Sequence, residues 1–228
     1  KLTLLRRTKD AFFVPASSRS LLDNLLAPRW TKVQEDFDLT STKFVGSHNK
    51  INLSVIQSLV IHYCKVCWRD TQIAQSRFIE VLSWVNPLPH RLWLLREIDW
   101  IKIYDDGICT SSHSLAAALS SFEEKVVLIA GWYDKWDDYS WLSDLFFSKV
   151  WYAVLIWQTA EKFTKVCWQT KTPYFVAKSL EEAVKKSIEQ SKKLALSKIV
   201  FSPWSASFDM FKNVYDRVEK FEKIVNSL

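Results

Sequence analysis

The sequence predicts an α/β fold in which a Rossmann-like parallel sheet forms the C-terminal domain. Two observations predict it. Short apolar segments rich in β-branched residues alternate with amphipathic segments along the second half of the chain. Repeated strand and helix units of this kind form parallel sheets that are covered on both faces. The chain has 228 residues, of which 48% are hydrophobic and 25% charged, which suffices for one or two globular domains.

The first 45 residues give the weakest pattern. We predict short strands at residues 12–14 and 43–45, in a segment that ends a larger domain. A helix is predicted from Gly46 to about Cys64. A second helix follows from Asp70, as its N-cap, to Leu82.

Residues 87–92 contain two prolines and predict a rigid, extended linker, because each proline fixes its own φ and restricts the residue before it. The regular part begins at residue 93. Its predicted elements are a strand at 101–104, a helix carrying Leu115, Leu119 and Phe122, a strand at 126–130, a helix near 141–147, a strand at 152–156, a helix near 160, a strand at 174–176, a helix capped by Ser179 with Glu182 three residues on, a strand at 199–201, and a helix with apolar residues at 208, 211, 214, 218, 221 and 225.

Polar side chains follow these strands where ligands collect on parallel sheets, at the carboxyl ends. They are Asp105, Asp106 and Thr110 after one strand, Lys135 after the next, and Ser205 and Ser207 after the last. A helix that begins directly after a strand presents free N–H groups and a positive dipole end to a carboxylate or phosphate. The alternative is that the two serines only cap that helix, and both interpretations stay open here.

Composition excludes several function classes. The net charge is +6, but the basic residues are scattered, so we expect no nucleic-acid partner. The longest apolar run, residues 150–157, is too short to span a bilayer, and no secretory h-region is present, so we expect a cytoplasmic protein with no membrane partner. The four cysteines are expected to be free thiols. The chain begins at Lys1 and has one methionine, Met210, so we expect a fragment that lacks its N-terminal part.

Glycine and tryptophan occur in unusual numbers. There are 3 glycines and 12 tryptophans, whereas average usage predicts about 16 glycines in this length. Several tryptophans, among them Trp132, Trp136, Trp157 and Trp204, lie in loops where glycine is expected. We hypothesise that most of these tryptophans are glycines, mistranslated from a genome in which UGA encodes glycine. The alternative is a protein that is truly rich in tryptophan, and the coding DNA distinguishes the two.

Three segments resemble the Mur ligase family. The letters SPWSASFDMFKN at 202–213, followed by Asp216 and Arg217, resemble its C-terminal signature. The pattern G-x-H-N-x-x-N at 46–52 and the letters HRL at 90–92 resemble two further elements. The resemblance covers residues 43–228. It implies an ATP-dependent ligase that adds D-glutamate to UDP-N-acetylmuramoyl-L-alanine in peptidoglycan synthesis, through an acyl phosphate.

The resemblance also implies roles for individual residues. Thr110, Lys135, Ser207 and the backbone amide of Phe208 would bind D-glutamate. For Lys135 the alternative is a solvated loop lysine. The family pattern has serine at the position of Gly107, and the serine is absent here.

Four residues would lie on the nucleotide side by the same resemblance: Asn49, Asn52, Arg91 and Asp106. For the two asparagines the alternative is that they cap the helix. A guanidinium such as that of Arg91 suits phosphate or a base edge. Three further departures from the family pattern are Trp93, which replaces a glutamate, Val214, which stands where an aromatic residue is common, and Val218, which stands where a glycine is common.

The resemblance divides the chain into residues 1–88, the end of a central ATPase domain, and residues 89–228, the amino-acid-binding domain. The cofactors would be ATP and Mg²⁺, but the chain contains no G-x-x-x-x-G-K-[ST] phosphate loop. We therefore predict no catalytic residue and no metal ligand in this fragment, no turnover by it alone, and a monomer. Two alternatives stay open: a sibling that adds another amino acid or adds glutamate to folate, and a non-catalytic Rossmann-like binding module.

Overall fold

The computed structural model describes residues 12–15, 30–131, 142–156, 160–203 and 211–228. It divides into two compact units, Lys1–Asn86 and Pro87–Leu228.

The first unit contains two short strands and two helices: β1 (Phe12–Pro15), β2 (Trp30–Val33), α1 (Ser47–Val66) and α2 (Thr71–Trp84). Strands β1 and β2 pair in parallel. A small core forms around Phe37, Leu53 and Leu82. The Asp70 carboxylate caps α2, since it accepts hydrogen bonds from the N–H groups of residues 72 and 73, as predicted.

The strand predicted at residues 43–45 is wrong. The Phe44 N–H donates to the Thr42 hydroxyl at 3.2 Å, so the backbone here closes a turn and does not join a sheet. Strand β2 was not predicted. Both errors concern short segments in which three or four residues give too little periodicity to identify a strand.

The second unit is built on a six-stranded sheet. Its strands are β3 (Trp93–Ile98), β4 (Ile101–Asp105), β5 (Val126–Ala130), β6 (Val150–Ile156), β7 (Tyr174–Ala177) and β8 (Lys198–Phe201), in the order β3-β4-β8-β5-β6-β7. Neighbouring strands are parallel except β3, which is antiparallel to β4. The predicted parallel sheet is confirmed, and the antiparallel edge strand is an addition to it.

Five helices accompany this sheet: α3 (Ser112–Leu119), α4 (Ser143–Lys149), α5 (Ala160–Thr170), α6 (Leu180–Leu194) and α7 (Val214–Asn226). Val127 and Ile129 of β5 belong to the core that includes residues of α6 and α7. Their neighbours Val126 and Leu128 point to the opposite face and are also buried. Both faces of β5 are therefore covered, which explains its continuous apolar sequence. No helix within the described residues is both long enough and apolar enough to cross a membrane.

Helix α7 begins later than predicted. The Asn213 side chain caps it, accepting from the N–H groups of Tyr215 and Asp216 at 2.9 and 3.0 Å. Ser205 and Ser207 lie outside the described residues. Asn213 is the N-cap of α7, and both interpretations of the two serines stay predictions.

Residues 87–92 also differ from the prediction. The Arg91 N–H donates to the Leu88 carbonyl at 3.2 Å, and His90 and Leu92 have φ values of 61° and 51°. This part is a turn, not an extended linker. The prolines restrict only themselves and their predecessors, so residues after Pro89 are free to turn.

Two tryptophans lie in turns of the backbone, and one of them, Trp68, occupies a position at which glycine is usual. Trp68 follows α1 with φ of 55° and a side chain that is 96% exposed, and the next N–H, that of Arg69, bonds back to the Cys64 carbonyl. Glycine is the common residue at such a left-handed helix end. Trp100 lies with Asp99 in the two-residue loop between β3 and β4, and in this loop Asp99, not Trp100, has the positive φ, 55°.

The other tryptophans whose side chains are described are not buried either. Trp84, Trp151 and Trp168 are exposed, and Trp93 is half-buried. Tryptophan is normally among the more buried residues. These positions are compatible with glycine, and the hypothesis of mistranslated glycines stays a prediction.

Candidate functional site

The carboxyl ends of β4, β8 and β5 are joined by hydrogen bonds at one edge of the sheet. The Asp106 N–H donates to the Phe201 carbonyl at 2.8 Å, and the Ser202 N–H donates to the Ile129 carbonyl at 3.1 Å. The Ser202 hydroxyl donates to Asp106 Oδ2 at 2.8 Å. The Asp106 side chain is thus held at the carboxyl ends of the central strands, where the sequence predicted the site.

Burial determines the charge state of this carboxyl group. Asp106 is 6% exposed, and burial raises its pKa to about 7, although the Ser202 hydroxyl and the Arg91 guanidinium both act to lower it. The neighbouring Asp105 carboxylate acts in the same direction as burial. Near neutral pH the side chain therefore exchanges between a neutral acid and a carboxylate.

This pKa predicts how stability depends on pH. The folded protein keeps the Asp106 proton up to about pH 7, whereas the unfolded chain releases it near 3.8. The contribution of the Asp106 proton to the free energy of unfolding is therefore fully present below about pH 4 and is lost as pH rises through about 7. Between these values the free energy of unfolding falls by up to about 1.4 kcal/mol per pH unit. We expect Asp106→Asn to abolish this loss, which urea unfolding of both proteins across the range would measure. A difference between the two proteins that does not change with pH would contradict the prediction.

Asp105 connects two loops at the same edge. Its side chain is fully buried, and Oδ1 accepts from the Gly107 N–H at 2.7 Å. Its other oxygen lies 2.6 Å from His90 Nδ1. This hydrogen bond raises the pKa of His90. The Ile108 N–H also donates to the His90 carbonyl at 3.3 Å, so the turn before β3 is attached to the loop after β4.

The loop after β4 is also attached to α7. Arg217 is fully buried, and its Nη2 donates to the Gly107 carbonyl at 2.6 Å. A Cβ atom on Gly107 would lie 2.3 Å from Cγ1 of Val218 and 2.8 Å from Asp105 Oδ1. Only glycine allows the helix to approach this loop so closely.

The structure brings some of the predicted residues together and leaves others apart. Arg91 is exposed and lies close enough to Asp106 to lower its pKa. Thr110 is exposed on the same loop as Asp106, directly before Ser111, whose hydroxyl caps α3. Lys135, Ser207 and Phe208 lie outside the described residues, and their roles stay predictions.

Asn49 and Asn52 belong to the first unit. The N-cap residue of α1 is Gly46, and no side chain makes a capping hydrogen bond there. Asn49 lies within the helix and donates from Nδ2 to the Val45 carbonyl at 2.8 Å, and Asn52 is an exposed helical residue. The alternative in which they cap the helix is therefore wrong, and their placement on the nucleotide side stays a prediction.

Sequence reasoning missed three contributors to the site: His90, Ser202 and Arg217. All three stand in or beside the quoted Mur ligase motifs, but the sequence assigns them no role, because the partner of each lies in another part of the chain. The His90 and Ser202 contacts follow only from the pairing of β4 with its neighbours. For Arg217 there was a further signal, since an arginine on the apolar face of α7, next to Val218, implies a buried partner.

Across the described residues, no group of three or more His, Cys, Asp or Glu side chains could hold a metal ion. No residue described here is therefore assigned to Mg²⁺. Arg91 is exposed, and a guanidinium can in general bind phosphate.

Comparison with known proteins identifies the family. No protein-family model matches the chain. UDP-N-acetylmuramoylalanine–D-glutamate ligase of Acetivibrio thermocellus is 42% identical over 157 residues, which are 65% of this chain and 33% of that protein. The enzyme of the same name from Aquifex aeolicus is 36% identical over 191 residues, which are 83% of this chain and 43% of that protein. The chain belongs to the Mur ligase family. It spans less than half the length of these two relatives.

Solved structures of Mur ligases share the fold. MurF from Acinetobacter baumannii aligns with a TM-score of 0.57 at 13% identity, covering 100% of this chain and 55% of that one. UDP-N-acetylmuramate-alanine ligase from Thermotoga maritima aligns with a TM-score of 0.53 at 13% identity, covering 82% of this chain and 39% of that one. At this level of identity the likeness concerns the fold alone.

Proposed function

We propose that this chain is part of an ATP-dependent ligase that joins D-glutamate to UDP-N-acetylmuramoyl-L-alanine in peptidoglycan synthesis. The observation that carries the proposal is the identity to D-glutamate ligases along most of the chain. Residues 89–228 would be the amino-acid-binding domain, and residues 1–88 would belong to the ATPase domain. The protein would act as a cytoplasmic monomer.

The geometry of the sheet edge supports this function. ATP, with Mg²⁺, supplies the phosphoryl group that activates the carboxylate of the precursor. Arg91 would bind the nucleotide, because it is exposed at the end of the sheet where its charge acts on Asp106 and its guanidinium can donate to phosphate oxygens. Asn49 and Asn52 would lie on the nucleotide side as well.

The amino-acid side of the site would be formed by Thr110, Lys135, Ser207 and the amide of Phe208. Thr110 supports this assignment because it is exposed on the loop that β4, β8 and α7 hold in place. A lysine and hydroxyl donors are suited to a dicarboxylate. Two other functions remain as outcomes of the test: a sibling ligase with another amino acid, and a module that binds without catalysis.

The test measures phosphate release in a protein that spans the full length of the relatives. We expect release that depends on D-glutamate, and we expect Lys135→Ala and Ser207→Ala each to reduce it at least about tenfold, as loss of a charge-assisted hydrogen bond does. Lys223→Ala, which removes an exposed lysine of α7, is the control and should leave the rate unchanged. The same protein with Trp132→Gly, Trp136→Gly and Trp204→Gly together should release phosphate faster than the unchanged protein.

The outcomes separate the alternatives. Unchanged release in both variants would show that the site assignment is wrong. Release that depends on a different amino acid would identify a sibling ligase, and D-glutamate binding without release would identify a binding module.

A further inference from the structure

Arg91 lies between two residues with left-handed backbone. His90 has φ of 61° and Leu92 has φ of 51°, a region that residues other than glycine rarely adopt. Such conformations persist where the surroundings fix them, and they cluster at ligand-binding positions. Leu92 is fixed by burial, since only 3% of it is exposed. His90 must be fixed by its hydrogen bonds.

His90 is attached to the loop after β4 at two points. Its ring Nδ1 lies 2.6 Å from Asp105 Oδ2, and its carbonyl accepts from the Ile108 N–H. These two contacts lie on either side of Asp106 in the sequence. The turn and the loop therefore meet around Asp106, and Arg91, the next residue after His90, is near enough for its charge to act on that carboxyl.

Asp105 is suited to anchoring this contact. A fully buried carboxylate requires donors to replace its water, and the Gly107 N–H and His90 serve as two of them. The His90 ring is 14% exposed and also lies in the field of Glu219 and Glu222 of α7. A cationic or Nδ1-protonated His90 is therefore favoured, and both forms donate to Asp105.

We propose that His90 and Asp105 are positioning residues that hold the Arg91 guanidinium beside Asp106, where it meets a nucleoside triphosphate. The inference rests on the proposed ligase function. Neither His90 nor Asp105 would touch the nucleotide. They act through the turn from Leu88 to Leu92, whose strained backbone would relax without them.

The first test compares two replacements of His90 in a protein that spans the full length of the relatives. The amide nitrogen of asparagine can take the place of Nδ1, whereas that of glutamine takes the place of Nε2. We expect His90→Gln to raise the KM for ATP about tenfold with little change in the KM for D-glutamate, and His90→Asn to stay within about threefold of the unchanged protein. Equal KM values for ATP in all three proteins would overturn the inference.

A double-mutant cycle tests whether His90 acts through Arg91. Once Arg91→Ala has removed the guanidinium, adding His90→Gln should change the KM for ATP less than about twofold, because coupled residues do not act additively. Multiplication of the two single effects would overturn the inference, since it would give His90 an independent role. Absence of any ATP turnover in the unchanged protein would instead overturn the proposed function.

A third measurement does not need activity. NMR titration of the 228-residue chain should give His90 a pKa above its ordinary value of 6.5, and Asp105→Asn should lower that pKa. Far-UV circular dichroism would establish that each variant is folded. A His90 pKa at or below 6.5 would overturn the proposed contact whatever the kinetics show.

Discussion

Replacing Gly131 with alanine is expected to lower the free energy of unfolding by at least about 3 kcal/mol. Gly131 directly follows β5 with φ of +112°, and a Cβ atom there would lie 2.3 Å from the backbone oxygen and 2.9 Å from the backbone nitrogen of Ile156. Both atoms belong to the backbone of β6, so no side chain can move aside. Urea unfolding of the two proteins would measure the loss, and a loss below about 1 kcal/mol would contradict the prediction.

Trp68→Gly is the matched substitution with the opposite sign. Trp68 also has a positive φ, but its side chain is exposed, so glycine should stabilise the protein by about 1 kcal/mol by removing the left-handed strain. Trp84 is the control, because it is exposed too but ends α2 with ordinary helical geometry. There glycine should give no gain. A destabilising Trp68→Gly would contradict the hypothesis that glycine is the natural residue at position 68.

Replacing Gly107 with serine is expected to cost about 2–3 kcal/mol. The new Cβ atom would collide with Cγ1 of Val218, and it would also crowd Asp105 and the Phe201 ring. The Mur ligase pattern has serine at the position of Gly107 and commonly glycine at the position of Val218. In this chain these two departures from the family pattern lie against each other. The missing side chain at position 107 makes room for the side chain of Val218.

A double-mutant cycle with Val218 tests the cause of this loss of stability. Val218→Ala alone should destabilise the protein, since it removes buried methyl groups. The double variant Gly107→Ser with Val218→Ala should be more stable than the sum of the two single losses by at least about 1 kcal/mol. Strict additivity in urea unfolding would show that the collision with Val218 is not what requires glycine at position 107.

The elements that were predicted correctly are those that local sequence specifies. Asp70 and Ser179 were recognised as caps because a short polar side chain before an apolar period satisfies the first N–H groups of a helix. Strand β5 was recognised by its five apolar residues, which suit burial on both faces. These signals need only a few neighbouring residues, and tertiary contacts did not override them.

The elements that were not predicted depend on distant residues, or on positions where tryptophan stands and glycine is expected. Strand β3 went unrecognised because Asp99 is followed by Trp100. With glycine at position 100 the pair would be Asp-Gly, the strongest short signal for a hairpin. The late start of α7 was missed because Phe211 continues the apolar period of the helix, although Asn213 is the residue that caps it.

The α/β class, most strands and helices, the edge of the sheet where polar residues collect, and the family can all be predicted from the sequence. These follow from periodicity, capping and motif spacing, which act over a few residues. The three-dimensional structure was needed to show that β8 lies between β4 and β5, that Ser202 bonds to Asp106, and that His90 meets Asp105. These contacts join residues up to 96 positions apart, and the order of strands that creates them is set by packing of the whole sheet.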